Sequence, residues 1–324
     1  MKNISIVCLL LTVNMAVKAQ TFSGGSGTIA DPYIISTPEQ LNQVRNHLSA
    51  HFKLANNIDL TEFLVTVGAG YNQWGEQGWE PIGTNSAAFR GSFNGAGFKI
   101  TGLWSNRIDM FDIGLFGYIR NAKIENLGVE LGDRGIRGFD NVAGLVGVQD
   151  FSTITNCYAV GSVNGRSDIG GLIGEQIRGS VTKNCYATGS VSGNLFNAGA
   201  LTAHLSSNST IENCYASVKV SGKGKVGGLV GQQIGKISNS YATGNVRGID
   251  CVGGLVGERQ RGSIENCFFD NQTTGQIRGV GTDLQEGVTG KNTAEMKRKN
   301  TFIDWDFSAV WRMPSREYPK LLAN

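Results

Sequence analysis

Short apolar runs recur along most of this chain and are separated by Gly, Asn and other polar residues at a steady interval. One repeated element is the tetrad Gly-Leu-apolar-Gly, which starts at Gly114, Gly144, Gly171, Gly228 and Gly254, with a degenerate copy at Gly199-Ala200-Leu201-Thr202. The first residues of these six copies are 30, 27, 28, 29 and 26 residues apart. A nearly fixed period of this length indicates a repeat architecture.

A second element keeps the same period. The triplet Asn-Cys-Tyr or a close variant begins at Asn156, Asn184, Asn213, Asn239 and Asn266, and an earlier variant is Asn126-Leu127-Gly128. No apolar run in the repeat is long enough for a helix of ordinary length. The β-branched content and the Gly punctuation favour strands, and an Asn at each bend suits left-handed backbone and a stacked side-chain ladder.

A unit of about 27 residues with three strands and three turns predicts one coil of a parallel β-helix. The fold class is therefore all-β: a right-handed parallel β-helix (solenoid) with about 27 residues and three strands per coil. Propeller blades need about 40 residues or more, and the leucine and asparagine spacing of a leucine-rich repeat is absent.

The two ends of the chain depart from the repeat and predict caps, which solenoids need to cover their terminal coils. Thr37-Pro38-Glu39-Gln40 has the pattern of a helix N-terminus, and Leu41, Val44, Leu48 and Phe52 follow at helical spacing. The first strand is expected between Phe52 and Leu60. In the C-terminal segment, Thr293 to Lys297 predicts a short helix, and Trp305, Phe307, Val310 and Trp311 are expected to cover the last coil.

The resulting organisation has four parts. Residues 1–19 have the features of an export signal: Lys2, the apolar run from Ile4 to Val13, and Val17-Lys18-Ala19 at the cleavage positions. Residues 20–78 are the N-terminal cap and first strands, 79–275 the repeat β-helix, and 276–324 the C-terminal cap. We expect an exported protein, secreted or held at the cell surface, without a transmembrane segment of its own.

Charge adds one exclusion. Without the signal, the chain has 27 Lys and Arg against 26 Asp and Glu, a formal charge of +1. This near-neutral balance argues against nucleic acid as the main partner.

The histidines and cysteines do not form recognisable catalytic or metal motifs. His47 and His51 are four residues apart on the predicted helix but lack the H-E-x-x-H signature, and His204 is expected to be solvated in a turn. Four cysteines share the Asn-Cys-Tyr column, with Ser240 in the remaining coil, and are expected to be buried free thiols because parallel stacked side chains point the same way. Cys251 lies off this column. We predict no cofactor and no metal.

Two sets of residues are candidates for ligand binding. Strict alternation places Tyr158, Tyr186, Tyr215 and Tyr241 on the outside of the coils, where they form either a sugar-stacking stripe or a structural ladder. The turn before the Gly-Leu element is the most polar and variable one, and is therefore the predicted recognition edge. It contains Asp133, Arg137, Asp140, Arg166, Asp168, Arg247 and Asp250. Solvated turn residues are the alternative interpretation.

These repeats resemble the GLUG-repeat family, named for its Gly-Leu-apolar-Gly signature. Further matching segments are Gly25 to Ile35, Trp79-Glu80-Pro81-Ile82-Gly83, Phe89 to Ile100, Thr293-Ala294-Glu295-Met296 and Trp305-Asp306-Phe307. The resemblance implies a large bacterial surface protein of Bacteroidetes type, related to the non-catalytic repeats of some immunoglobulin A peptidases and associated with adhesion. No C-terminal sorting module is evident.

From both lines of reasoning we expect a non-enzymatic, adhesin-like scaffold, present as a monomer, that binds a host or matrix protein or a glycan. The alternatives are a carbohydrate-active β-helix enzyme, either a polysaccharide lyase or a glycoside hydrolase, and a glycan-binding module. Parallel β-helices also carry enzymes with acidic clusters, so the fold alone does not decide between them.

Overall fold

The computed structural model describes residues 21–322, and most of these residues form one stack of parallel coils. Equivalent positions of successive coils pair side by side: Tyr158 with Tyr186, then Tyr215, Tyr241 and Phe268. These partners are 28, 29, 26 and 27 residues apart, which confirms the predicted solenoid and its period. The predicted export signal lies outside the described residues.

Each central coil passes through four sheets, here numbered I to IV. Sheet I contains Tyr33–Ile35, His51–Leu54, Ser92–Asn94, Lys123–Glu125, Thr153–Thr155, Val181–Lys183, Thr210–Glu212, Lys236–Ser238 and Ile264–Glu265. Sheet II contains Ile58–Asp59, Lys99–Arg107, Gly128–Gly138, Tyr158–Gly165, Tyr186–Gly193, Tyr215–Gly222, Tyr241–Thr243, Val246–Arg247, Cys267–Asp270 and Val288–Lys291.

The other two sheets are shorter. Sheet III contains Asp140–Val142, Ser167–Gly170, Asn197–Gly199, Lys225–Gly227 and Val252–Gly253. Sheet IV contains Phe116–Arg120, Val146–Asp150, Ile173–Ile177, Thr202–Leu205, Val230–Gln233 and Val256–Arg259. Sheets I, II and IV correspond to the three predicted strands of a coil. Sheet III is a fourth, short strand that follows sheet II after one to four residues, with Arg166 as the single connecting residue in one coil.

The core follows from the period-two alternation of each strand. Ile124, Ile154, Ile211, Ile237 and Ile264 form a buried column in sheet I, with Thr182 between them. Ala159, Ala187, Ala216 and Ala242 form a buried column of small residues in sheet II. A coil can bury such a face only against its neighbours, so the apolar interior runs along the whole stack.

The asparagine column forms the bend between sheets I and II. Asn126, Asn156, Asn184, Asn213, Asn239 and Asn266 all have left-handed backbone, with φ between 47° and 53°. The side-chain amides stack: Asn156 Nδ2 donates to Asn126 Oδ1 at 2.9 Å, and Asn184 Nδ2 donates to Asn156 Oδ1 at 3.1 Å. Both predicted roles of the asparagine, the left-handed bend and the ladder, are confirmed.

The cysteine column lies directly inside this bend. Cys157, Cys185, Cys214 and Cys267 are buried free thiols, and Cys251 is free and partly exposed. The backbone N–H of each residue bonds the next side chain along the column, as from Cys185 to Cys214 Sγ at 3.4 Å and from Cys214 to Ser240 Oγ at 3.0 Å. The predicted free thiols are confirmed.

The N-terminal end contains the predicted helix in a shorter form. Helix α1 spans Pro38–Gln43, with Thr37 as its N-cap, and continues as a 3-10 turn over Val44–Asn46. The structure corrects the placement of His51, which lies in a sheet I strand and bonds Ser92 Oγ at 2.8 Å. Two further helices, α2 (Thr61–Leu64) and α3 (Ala69–Trp74), precede a 3-10 turn at Gly75–Gln77.

The C-terminal end folds back along the side of the stack. Helix α4 (Asn271–Thr274) follows the last full coil, and Val288–Lys291 adds one more strand. Residues 293–322, here called the cap segment, contain helix α5 (Thr293–Met296), a 3-10 turn at Lys299–Thr301 and an antiparallel pair, Trp311–Arg312 with Lys320–Leu321. The cap segment packs on the outer face of sheet II across several coils. No helix within residues 21–322 has the length and apolar character needed to cross a membrane.

Candidate functional site

The corner between sheets II and III carries exposed side chains in every central coil. Arg137 and Arg247 lie in one column at the ends of the sheet II strands, and Arg166 links the two sheets in the intervening coil. We call this corner the corner ridge. Its members are Ile108, Phe111, Arg137, Arg166, Leu195, Phe196, Lys223, Arg247, Ile249 and Asp250. Successive coils are one strand spacing apart, about 4.8 Å, so the ridge extends over about 24 Å.

Arg166 is the ridge residue with the most defined surroundings. Its Nη2 donates to Asp140 Oδ2 at 3.0 Å, and its guanidinium lies 3.7 Å from the centre of the Phe139 ring. The Phe139 ring also meets the Phe111 ring edge-on, with centroids 5.2 Å apart. Asp140 and Arg166, two predicted site residues, are thus brought together and are held over an aromatic pair.

The other predicted charged residues are more dispersed. Asp133, Arg137, Arg247 and Asp250 are exposed. Asp133 lies where the register of its strand shifts against the next coil. Its neighbour Arg134 is held by an ion pair with Glu76 at 2.6 Å and by the Trp104 ring at 3.8 Å.

Asp168 lies away from the ridge, in the sheet III strand Ser167–Gly170. It has left-handed backbone with φ of 54° and accepts a hydrogen bond from Asn197 Nδ2 at 2.6 Å. Burial raises the pKa of Asp168, while the bond from Asn197 acts in the opposite direction. In the neighbouring sheet IV, His204 Nδ1 lies 3.1 Å from Glu175 Oε1. The expectation of a solvated turn histidine is wrong, because His204 lies in the strand Thr202–Leu205.

The tyrosine column forms a continuous stack on the outside of sheet II. Ring centroids of Tyr158, Tyr186, Tyr215 and Tyr241 are 4.9, 4.8 and 5.1 Å apart, with interplanar angles of 10° or less. The predicted outward direction holds, but the column is not an open stripe. The cap segment covers its C-terminal half, so that Tyr241 is buried and Tyr158 and Tyr186 remain half-exposed.

The cover over the tyrosines is aromatic. Trp311 lies 6.0 Å from Tyr241 and 6.3 Å from Tyr215, ring centre to ring centre, and Trp305 lies 5.9 Å from Phe268. Burial raises the pKa of Tyr186 to about 12 and raises those of Tyr215 and Tyr241 further. The predicted cover over the last coil is therefore present and reaches one side of two earlier coils as well.

The apolar members of the ridge were not identified from the sequence. Phe196 is 58% exposed and Ile249 is 75% exposed, and both stand in the turn that was selected for its polar residues. The position of these apolar residues in the sequence is the one signal that could have identified them. These apolar residues occupy the solvent side of a turn just before the Gly-Leu element, where no core contact requires them.

Within residues 21–322, no group of three or more His, Cys, Asp or Glu side chains is arranged to hold a metal ion.

Comparison with known proteins agrees with the repeat pattern. The family model of the GLUG motif matches residues 141–164, 165–192 and 224–247. A protein of Evansella cellulosilytica, provisionally named as a Gly-rich membrane protein, is 32% identical over 93% of this chain and 46% of its own length. Halomucin of Haloquadratum walsbyi is 35% identical over 47% of this chain and 2% of its own length. The chain thus spans about half of the first relative and a small part of the second.

Among solved structures, this chain is similar to a Bacteroides ovatus protein provisionally described as an immunoglobulin A1 protease. The TM-score is 0.66 at 23% identity, covering 94% of this chain and 96% of that one. At this identity the similarity shows the shared fold. Taken with the coil geometry, these findings show that the chain carries GLUG motifs within a parallel β-helix fold.

Proposed function

We propose that this protein is an exported scaffold, secreted or displayed at the cell surface, that binds a host, matrix or glycan ligand and performs no catalysis. The single observation that supports the proposal is the corner ridge, where exposed apolar and charged side chains recur from coil to coil. The rod-like stack holds these side chains at a fixed spacing, so a ligand meets a preformed surface.

The composition of the ridge is that of an interaction surface. Phe111, Leu195, Phe196 and Ile249 are each at least 40% exposed. Exposed apolar groups rimmed by polar residues mark binding surfaces, and aromatic residues and Arg are enriched where proteins meet their partners. Lone exposed apolar residues are ordinary, but here they lie at the same corner of the stack in three of its coils, with charged residues at that corner in the coils between them.

Tyr158 and Tyr186 are secondary candidates for ligand contact. Both side chains are partly exposed, although Tyr186 also packs against the aromatic cluster that the cap segment forms with sheet II. Their faces are largely occupied by stacking on each other, which leaves ring edges and hydroxyls for a ligand. Tyr241 is excluded from this role by its burial.

The proposal is tested by a binding array of glycans and extracellular matrix proteins, with the wild type and the double variant Phe196→Ser, Ile249→Ser. We expect the double variant to lose at least about tenfold in affinity for any ligand found, since removing two exposed anchors costs more than about 1.4 kcal/mol.

Phe151→Ser is the matched control for this experiment. Phe151 is also 58% exposed, but it lies at a different corner, between sheets IV and I. It should leave binding unchanged. Equal losses in both variants, or retention of full affinity by the double variant, would contradict a role for the ridge.

A carbohydrate-active enzyme is the second candidate, and the group formed by Asp168, Glu175 and His204 supports it. Asp168, with its raised pKa, interacts electrostatically with His204 and Glu175, an arrangement that offers acid and base groups in one place. On the main proposal, a panel of polysaccharides should show no turnover. Hydrolysis or elimination that is abolished by Asp168→Asn or Asp140→Asn would replace the scaffold proposal with this one.

A further inference from the structure

A cleft opens between the N-terminal helical region and the first complete coil. Its volume is about 310 Å³. The walls are mainly apolar, and include Leu48, Pro81, Met110 and Phe111, with Glu80 and Asp112 among the polar groups. Ligand sites in proteins start at about 300 Å³, so this cleft has room for a small group such as one side chain rather than for a long oligosaccharide.

The one basic residue of the cleft is already occupied. Arg45 Nε donates to Asn42 Oδ1 at 2.7 Å, Nη1 to Glu80 Oε2 at 3.2 Å and Nη2 to the Glu80 carbonyl at 2.7 Å. The guanidinium also lies 5.1 and 5.3 Å from the rings of Trp74 and Trp79. Arg45 therefore fastens the helix to the coil and has little capacity left for an anionic ligand.

Asp112 has no such compensation. Its side chain accepts one hydrogen bond, from Asn141 Nδ2 at 2.9 Å, and no cation is paired with it in the described part of the chain. Burial raises its pKa, the bond from Asn141 acts in the opposite direction, and the Glu175 carboxylate raises it further. The cleft thus combines apolar walls with a half-buried carboxylate that lacks a positive partner, and with Glu80, which is paired with Arg45 at 3.2 Å.

We propose that this cleft binds a lysine or arginine side chain presented by a partner protein. The aliphatic stem would lie against Leu48, Met110 and Phe111, while the cation would reach Asp112 and Glu80. Long basic side chains bind in this way because an apolar stem and a charged head suit a surface that is apolar with a polar end. The charge left over at Asp112 specifies a cation as the occupant.

A polypeptide source follows from what surrounds the cleft. Phe111 lines the cleft and is 57% exposed, and Ile108, three residues earlier in the chain, is 60% exposed, so residues flanking the basic side chain would cover them. Phe111 also belongs to the corner ridge, but the charged end of the cleft lies apart from the ridge residues tested above. This inference therefore goes beyond the proposed function and does not depend on it.

Asp112→Asn is the decisive variant, and the chain itself shows that it should fold. Asp112 has left-handed backbone with φ of 58°, and Asn141 occupies the equivalent place in the next coil with φ of 56°. Asp168→Asn is the matched control. It stands in the same column with φ of 54°, also bonds an Asn amide, and lies outside the cleft.

The probes are blocked pentapeptides with Lys, Arg or norleucine between glycines, together with free lysine, and binding is measured by NMR titration of the full chain. The Lys and Arg peptides should bind, and Asp112→Asn should weaken them about tenfold, the effect of losing about 1.4 kcal/mol of charge pairing. Asp168→Asn should have no effect.

Three outcomes would overturn the inference. The norleucine peptide binds as tightly as the Lys peptide, or the two Asn variants behave alike, or no basic peptide binds at about 10 mM, which is weaker than any useful contact. Binding of free lysine as tight as that of the peptide would refute the polypeptide source. None of these results bears on Phe196 or Ile249, so failure here is distinguishable from failure of the proposed function.

Discussion

Gly228 gives the sharpest test of how closely the coils approach. It opens the Gly-Leu-Val-Gly element of its coil, and a Cβ added there would lie 2.1 Å from the Gly254 carbonyl oxygen and 3.0 Å from the Ala242 Cβ. The first distance is about 0.9 Å shorter than the 3.0 Å below which Cβ contacts are essentially never seen. Backbone of the next coil must therefore move if any side chain is placed at this position.

The magnitude follows from overpacking. Gly228→Ala should reduce the free energy of unfolding by about 1–2 kcal/mol, within the range for forcing extra carbon into a packed interior. Gly228→Val should cost about 3 kcal/mol, because its branched methyl groups add contacts on the Ala242 side. The sign of the change in unfolding free energy is informative. At an unstrained site, Gly→Ala normally stabilises a protein by about 0.4–1 kcal/mol, because it reduces the conformational entropy of the unfolded chain.

Urea unfolding followed by circular dichroism measures these differences, with Ala200→Gly as the control. Ala200 occupies the equivalent place one coil earlier, so a methyl group is tolerated there. Its removal should cost only about 0.5–1 kcal/mol from added backbone freedom. If Gly228→Ala proves neutral or stabilising, the close approach of coils at this column is refuted.

Three further predictions concern the cap segment and the cysteine column. Burial and the bond to Asp270 raise the pKa of Tyr318 to about 12. A phenol with a higher pKa in the folded state stabilises it while neutral, so this contribution is complete below pH about 10 and is lost as the pH rises toward 12. Tyrosinate absorbance and tryptophan fluorescence should report cap release in that range, and an unchanged fluorescence would contradict it. Trp311→Ala should cost about 3–5 kcal/mol of cap docking, seen as early proteolytic loss of the cap with the coils intact. Cys185→Ser should be less destabilising than Cys185→Ala in urea, because Ser240 already shows a hydroxyl accepting the column's N–H bond; the reverse order would count against that bond.

The coil could be predicted because its determinants are local and repeated. Asn156 and its counterparts have left-handed backbone, and the buried residues of each strand alternate with exposed ones. The same pattern recurs in every coil. The free thiols could be predicted for the same reason, since a shared column implies parallel side chains. The repeated pattern was therefore sufficient to predict the fold, the left-handed bend at asparagine and the buried columns.

The remaining features depend on contacts between segments that do not repeat. The docking of Trp311 beside Tyr215 joins residues far apart in sequence, and no period relates them. His204 is next to Glu175 only because adjacent coils are in register. The sequence around His204 alone does not contain that information. The cleft at Asp112 forms where the N-terminal helical region meets the first coil. Neither the helical spacing nor the coil repeat predicts how these two parts meet.

The fit of the cap segment over Tyr215, Tyr241 and Phe268 constrains how this rod can change in length during evolution. Duplicating one coil on the N-terminal side of Tyr215 would lengthen the stack by about 4.8 Å and leave the contacts of the cap segment with Tyr215, Tyr241 and Phe268 unaltered. Duplication between Tyr215 and Phe268 would separate rings that Trp305 and Trp311 now hold together. Growth by gene duplication is therefore favoured in one half of the molecule and penalised in the other.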